Sequence, residues 1–76
     1  MTNSALLIKK IDESGLKKGY LVKKLDTSYK WLGKKINNEK DFTASEIDML
    51  CELLNICDLE EKDRIFFAKD VEKSST

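Results

Sequence analysis

The chain contains no histidine, and that absence removes much chemistry at once: the commonest general base and the commonest metal ligand are both missing. Cysteine is scarce as well. Cys51 and Cys57 fall within one predicted helix and the loop just after it, and a zinc site would need two further ligands. Both read as reduced thiols, buried or half-buried, in a cytoplasmic protein. Cys51 lies on an apolar stripe where thiolate is disfavoured. There is no glycine-rich phosphate loop, and the acidic residues sit at helix caps or on solvated faces, so no base and nucleophile pair up. An enzyme is therefore the weakest expectation, and no cofactor or metal is expected. No apolar run approaches the roughly 18 residues that span a bilayer, so no membrane partner is expected. Ala5 to Ile8 is too short an apolar patch for a signal peptide and leads straight into Lys9-Lys10. Internal repeats are lacking too.

Net charge is also missing: Lys and Arg balance Asp and Glu at 14 each, which at first argues against a nucleic-acid partner. The distribution argues back. Residues 1–40 hold ten lysines against four acids, while residues 41–76 hold four basic residues against ten acids. An asymmetry of this size points to one face for a polyanion and an acidic remainder that limits indiscriminate binding. The competing reading is a solvated lysine-rich surface, which we prefer for Lys9, Lys10 and Lys24.

What is present is one small domain over residues 1–76. A chain of that size buries only about 60% of its unfolded surface, which makes it marginal alone and a candidate for dimerisation. A short polar lead-in, Met1 to Asn3, precedes a first helix capped by Ser4 and running to about Ser14, with Leu7, Ile11 and Ile8 as its apolar stripe. Gly15 sits where a left-handed stop is wanted, and Leu16 folds back on the stripe. A second helix runs from about Lys18 to Leu25 with Leu21 and Leu25 inward. Asp26-Thr27-Ser28 forms the turn, since Asp tolerates left-handed dihedrals and Ser28 caps the next helix. That third helix, Tyr29 to about Asn37, turns Leu32 and Ile36 inward and Tyr29, Lys30, Gly33, Lys34 and Asn37 outward.

A polar loop, Asn38 to Asp41, leads to Phe42, a core plug. Thr43-Ala44-Ser45-Glu46 is a capping box that opens the fourth helix. Its inward stripe is Ile47, Leu50, Cys51 and Leu54, with Met49 and Leu53 as a weaker second stripe. Asn55 ends it, Ile56 turns inward, and Asp58 with Glu61 reads as a second capping box for a fifth helix from Leu59. The run Ile65 to Ala68 fits either a helix end or an extended strand. The acidic half extends over 41–72, and 73–76 read as a frayed tail.

The stretch Lys18 to Asn38 therefore has the layout of a helix-turn-helix, and from Gly15 to Phe42 the likeness becomes specific. The string GLKKGYLVKKLDTSYKWLGKKINNEKDF resembles the Cro and repressor proteins of phages, the large Cro/repressor (XRE-like) family, particularly its short phage and prophage members of Gram-positive type. Those carry a Leu-Gly-Ile-Ser turn, a recognition helix ending in Lys-Ile-Asn-Gly, and a polar loop before Phe-Thr. Here they become Leu25-Asp26-Thr27-Ser28, Lys35-Ile36-Asn37-Asn38 and Phe42-Thr43 without insertion. The likeness covers roughly residues 5–57. Asp26 replaces a usual glycine, Val22 a usual alanine and Thr27 a buried aliphatic residue, while Gly33 and Trp31 are off pattern inside the recognition helix.

The resemblance implies an all-α, compact five-helix lambda-repressor-like domain with a short C-terminal tail, acting as a sequence-specific transcriptional regulator on double-stranded DNA. It implies Ser28, Tyr29, Lys30 and Lys34 toward base edges in the major groove. Phosphate contacts are expected from Lys17, Lys18, Lys23, Lys35, Asn37, Asn38 and Lys40. A homodimer on a pseudo-palindrome is expected, because one such module buries only roughly 600–1,000 Å² on DNA. With no ligand or oligomerisation domain following, a Cro-like or small accessory regulator is favoured. Met49, Leu53, Phe66 and Phe67 are either core or dimer contacts, and Trp31 either packs on the second helix or meets DNA or a partner. The rival reading is a protein-binding antirepressor that docks a larger repressor, which zero net charge, the acidic second half and Trp31 all fit.

Overall fold

Each of the first four helices offers apolar residues one turn apart, and those pairs make the core. A computed structural model describes residues 1–68. They form five helices and no strand: α1 (Ser4–Ser14), α2 (Lys18–Leu25), α3 (Tyr29–Ile36), α4 (Ala44–Leu53) and α5 (Leu59–Phe66). The readings made for 69–76, the end of the acidic half and the frayed tail, lie outside the described residues.

Leu7 with Ile11, Leu21 with Leu25, Leu32 with Ile36, and Ile47 with Leu50 and Leu54 are buried together, joined by Ile56, Ile65 and Phe66. Three of the helices have only eight residues, well short of the about 12–15 an isolated helix needs in water. Packing therefore holds them, at about 1.5–3 kcal/mol for each fully buried aliphatic side chain. α3 rests on α1 and α2, α2 also meets α4, and α1 meets α5. No helix among the described residues is long and apolar enough to cross a membrane.

The helix ends are set by backbone chemistry. Four residues stand at positive φ just past a helix: Gly15 (75°), Asp26 (55°), Asn38 (66°) and Asn55 (62°). After three of those helices the next N–H reaches back across the last turn, Thr27 to the Val22 carbonyl at 3.0 Å, Glu39 to Lys34 at 2.8 Å and Ile56 to Cys51 at 2.8 Å. These are Schellman closures, which satisfy carbonyls the helix itself leaves open. At the starts, Asn3, Ser28, Thr43 and Asp58 accept first-turn N–H groups, and Thr43 and Glu46 complete a reciprocal box.

Several expectations need correction. Asn3, not Ser4, caps α1, because the Ser4 hydroxyl donates to the Ile36 carbonyl and ties α1 to the last turn of α3. Ile8 is 46% exposed, and Leu6 packs against the core instead; the Leu7 to Ile11 axis leaves its neighbour to one side. The N-terminal lead-in is tied to the end of α5, where Asn3 N–H donates to the Ile65 carbonyl at 2.7 Å and Ala68 N–H to the Met1 carbonyl at 2.9 Å. Those bonds also settle the Ile65 to Ala68 run, which is helical through Phe66 and then turns to meet the N-terminal segment. α3 stops at Ile36, one residue earlier than expected. Asp58 caps α5, but Glu61 turns to Lys10 Nζ at 2.9 Å instead of closing a second box. Cys57 is exposed and only Cys51 is half-buried; both thiols are free.

Asp26, like Asn38 and Asn55, places a Cβ in left-handed backbone, which carries steric strain that glycine avoids. Asp26→Gly is expected to stabilise the fold by about 0.5–1 kcal/mol, and the β-branched Asp26→Val to destabilise it by about 1–2 kcal/mol. Denaturant midpoints of the two variants measure both.

Candidate nucleic-acid interface

α3 divides cleanly into two sides. Leu32 and Ile36 are buried at 2% and 6% exposure, which fixes the opposite side outward. Tyr29 and Lys30 are exposed and Lys34 is half-buried. Ser28 accepts the Trp31 N–H at 3.2 Å, so its hydroxyl starts the helix and keeps a donor free for a ligand.

Around this helix the expected phosphate contacts separate into two groups. Lys17, Lys18, Lys23, Asn37 and Lys40 are exposed. Ion pairs among the described residues join Lys10 to Glu61, Lys35 to Glu46 and Lys62 to Asp48, so Lys17, Lys18, Lys23, Lys30, Lys34 and Lys40 keep unneutralised charge there.

Lys35 and Asn38 are differently placed. The Lys35 ammonium sits 2.7 and 2.6 Å from the two Glu46 carboxylate oxygens, with both side chains only about a seventh exposed (14% and 13%). Glu46 at the same time closes the capping box of α4, accepting the Thr43 N–H at 2.8 Å. Asn38 accepts the Thr2 N–H at 2.8 Å and donates to the Thr2 carbonyl at 2.7 Å. Both side chains thus hold the frame of the site, Lys35 by docking α3 on α4 and Asn38 by fixing the N-terminal segment against the end of α3.

On the α2 side, Gly19 leaves room for Tyr29. A Cβ at position 19 would lie 2.8 Å from the Tyr29 hydroxyl, so the phenol leans across to the first turn of α2. The N-cap of that helix, Lys17, makes no side-chain cap hydrogen bond. On the other side, Trp31 is 44% exposed and does not cover the core. Lys34 Nζ lies 5.7 Å and Lys40 Nζ 5.4 Å from its ring centroid, within the range of cation–π attraction. The i,i+3 spacing of Trp31 and Lys34 is visible in the sequence, but the approach of Lys40 depends on the turn at Asn38 and was not foreseen. A second pair that sequence reasoning missed, Lys24 over the Tyr20 ring at 5.7 Å, stands apart on α2.

Of the expected partner contacts, Phe66 is core, 4% exposed and edge-on to Phe42 with ring centroids 5.8 Å apart. Met49 and Leu53 pack partly buried against the same core. Phe67 is 54% exposed.

No family model, no curated protein and no solved structure matches the chain.

Two variants separate frame from contact. Burial pushes the Glu46 pKa up, but the Lys35 and Thr43 contacts outweigh it and hold the carboxyl below its ordinary 4.5. A depressed folded pKa contributes stability that is complete above the unfolded value and disappears as pH falls through the folded one. Glu46→Gln is therefore expected to lower stability at neutral pH by about 1–3 kcal/mol and to flatten the loss below pH 4.5, as read from thermal midpoints across an acid series. Asn38→Ala leaves the Thr2 backbone groups without partners and is expected to cost about 1–3 kcal/mol, seen as a lower urea midpoint.

Proposed function

We propose that this protein is a helix-turn-helix regulator that places α3 in the major groove of duplex DNA, with Ser28, Tyr29, Lys30 and Lys34 toward base edges and Lys17, Lys18, Lys23, Asn37 and Lys40 on phosphates. The observation that carries the proposal is the outward side of α3, where Lys30 and Lys34 lie beside Tyr29 with no acidic partner among the described residues. A second line of support comes from backbone geometry. The Cro/repressor pattern has glycine at the positions of Asp26 and Asn38, and both residues here have positive φ, 55° and 66°. The chain thus keeps the conformation that pattern needs while changing the residue. Lysine can donate to guanine O6 and N7, but from a flexible ammonium and not from a rigid planar fork, so an arginine-free α3 gives modest sequence discrimination. The mode of binding is as a homodimer on paired half-sites one helical turn apart, which offsets the small contact area of a single module.

A second reading has an observation of its own. Trp31, large and 44% exposed on the same surface, is a residue type enriched at protein interfaces, and it favours an antirepressor that docks a larger repressor.

Fluorescence anisotropy with labelled duplex at about 50 and 200 mM salt separates the two readings, because phosphate binding falls steeply with salt. The double variant Lys30→Ala/Lys34→Ala is expected to lose at least about tenfold in affinity while its circular dichroism stays unchanged. A wild-type chain that binds no duplex at the lower salt, yet binds a repressor, overturns the DNA reading in favour of docking.

A further inference from the structure

Trp31, Lys34 and Lys40 converge from two segments, α3 and the loop after it. Both ammonium groups lie within 6 Å of one ring, at 5.7 and 5.4 Å from its centroid. Neither has an acidic partner among the described residues. Two like charges held at one exposed aromatic ring, neither paired with a carboxylate among the described residues, match an anion carried on an apolar body. We propose that this cluster is a clamp for the sugar–phosphate backbone of one DNA strand, the indole packing on deoxyribose and the two ammonium groups taking phosphates.

The position of the clamp is set by its neighbours. Tyr29 leans toward α2 at Gly19. Lys35, one turn after Trp31 and so on the same side of the helix, pairs with Glu46 at the start of α4. The two aromatics therefore bracket α3, Tyr29 on its α2 side and Trp31 on its α4 side, with Lys30 between them. A strand running along the α4 edge meets Trp31 before any base. Lys34 is thereby reassigned from base edges to backbone, and base reading falls to Ser28, Tyr29 and Lys30. An acidic peptide offers the charge but not a regular apolar spacer between anions, and the cluster is continuous with the lysines of the groove surface.

The inference rests on the DNA reading, and the test keeps the two apart. Anisotropy of a labelled random duplex two helical turns long reports binding itself. The chain has one tryptophan, so indole emission reports the clamp in the same titration. Trp31→Ala is expected to weaken binding about five- to tenfold with unchanged helicity, and Trp31→Phe by less. Lys40→Ala is expected to weaken selected and random duplexes alike and to reduce the salt slope by about one. Wild-type binding by anisotropy with silent indole emission, and with Trp31→Ala binding as tightly, overturns the clamp and leaves the groove reading standing. No anisotropy change with any duplex overturns both.

Discussion

The left-handed residue that closes each of the first four helices is the constraint on which the rest depends. Helices of eight residues have little more than two turns, so an apolar pair such as Leu32 and Ile36 faces inward only if the chain enters and leaves at the right residue. Gly15, Asp26, Asn38 and Asn55 set those exits. Three of the four carry a side chain, and all three are Asp or Asn, the residue types that tolerate this conformation best after glycine. Moving one stop by a residue rotates the next helix by about 100° and turns its pair away from the core. The same stops orient the outward lysines, so the surface of α3 inherits its geometry from backbone dihedrals at its two flanks.

Polar groups then divide between frame and surface. Glu46 closes the first turn of α4 and receives Lys35 from α3 with one carboxylate, joining two helices that share only a short loop. Asn38 does similar work on the opposite flank: its backbone ends α3 and its amide holds Thr2, while Asn3 bonds Ile65 and Met1 bonds Ala68. α1, α3 and α5 are thereby laced along one edge. Lys35 and Asn38 both look like phosphate contacts from sequence position alone, and both have their hydrogen-bonding capacity directed inward.

That contrast shows what is legible in the sequence. Local signals can be read directly, because they are complete within a few residues: the i,i+4 pairs, the Thr43 and Glu46 box, the Ser28 cap and the left-handed roles of Gly15, Asp26 and Asn55. The starts of all five helices and the ends of the first three come from them to within a residue. The features that stay hidden need a partner distant in the chain. Ser4 finds Ile36, Thr2 finds Asn38, Glu61 prefers Lys10 to its own helix start, and Lys40 comes to Trp31 only because Asn38 turns the chain back. Phe66 and Phe67 illustrate the same limit, since adjacent aromatics look alike in a sequence, yet the end of α5 sends one into the core and the other to solvent.

The zero net charge also takes on a different meaning once the side chains are placed. Acidic residues do much of the structural work: Glu46 and Asp58 cap helices, and Glu46, Glu61 and Asp48 neutralise Lys35, Lys10 and Lys62. Among the described residues the lysines of α2 and α3 other than Lys35 have no ion-pair partner, so positive charge gathers around α3 although the whole chain is neutral. Under the proposed function this division has a kinetic consequence. A neutral molecule with one cationic side is attracted to a polyanion only in the right orientation, and its acidic remainder is repelled at close range. On that reading orientation speeds encounter but carries no sequence information, so discrimination beyond what lysine supplies rests on pairing two half-sites.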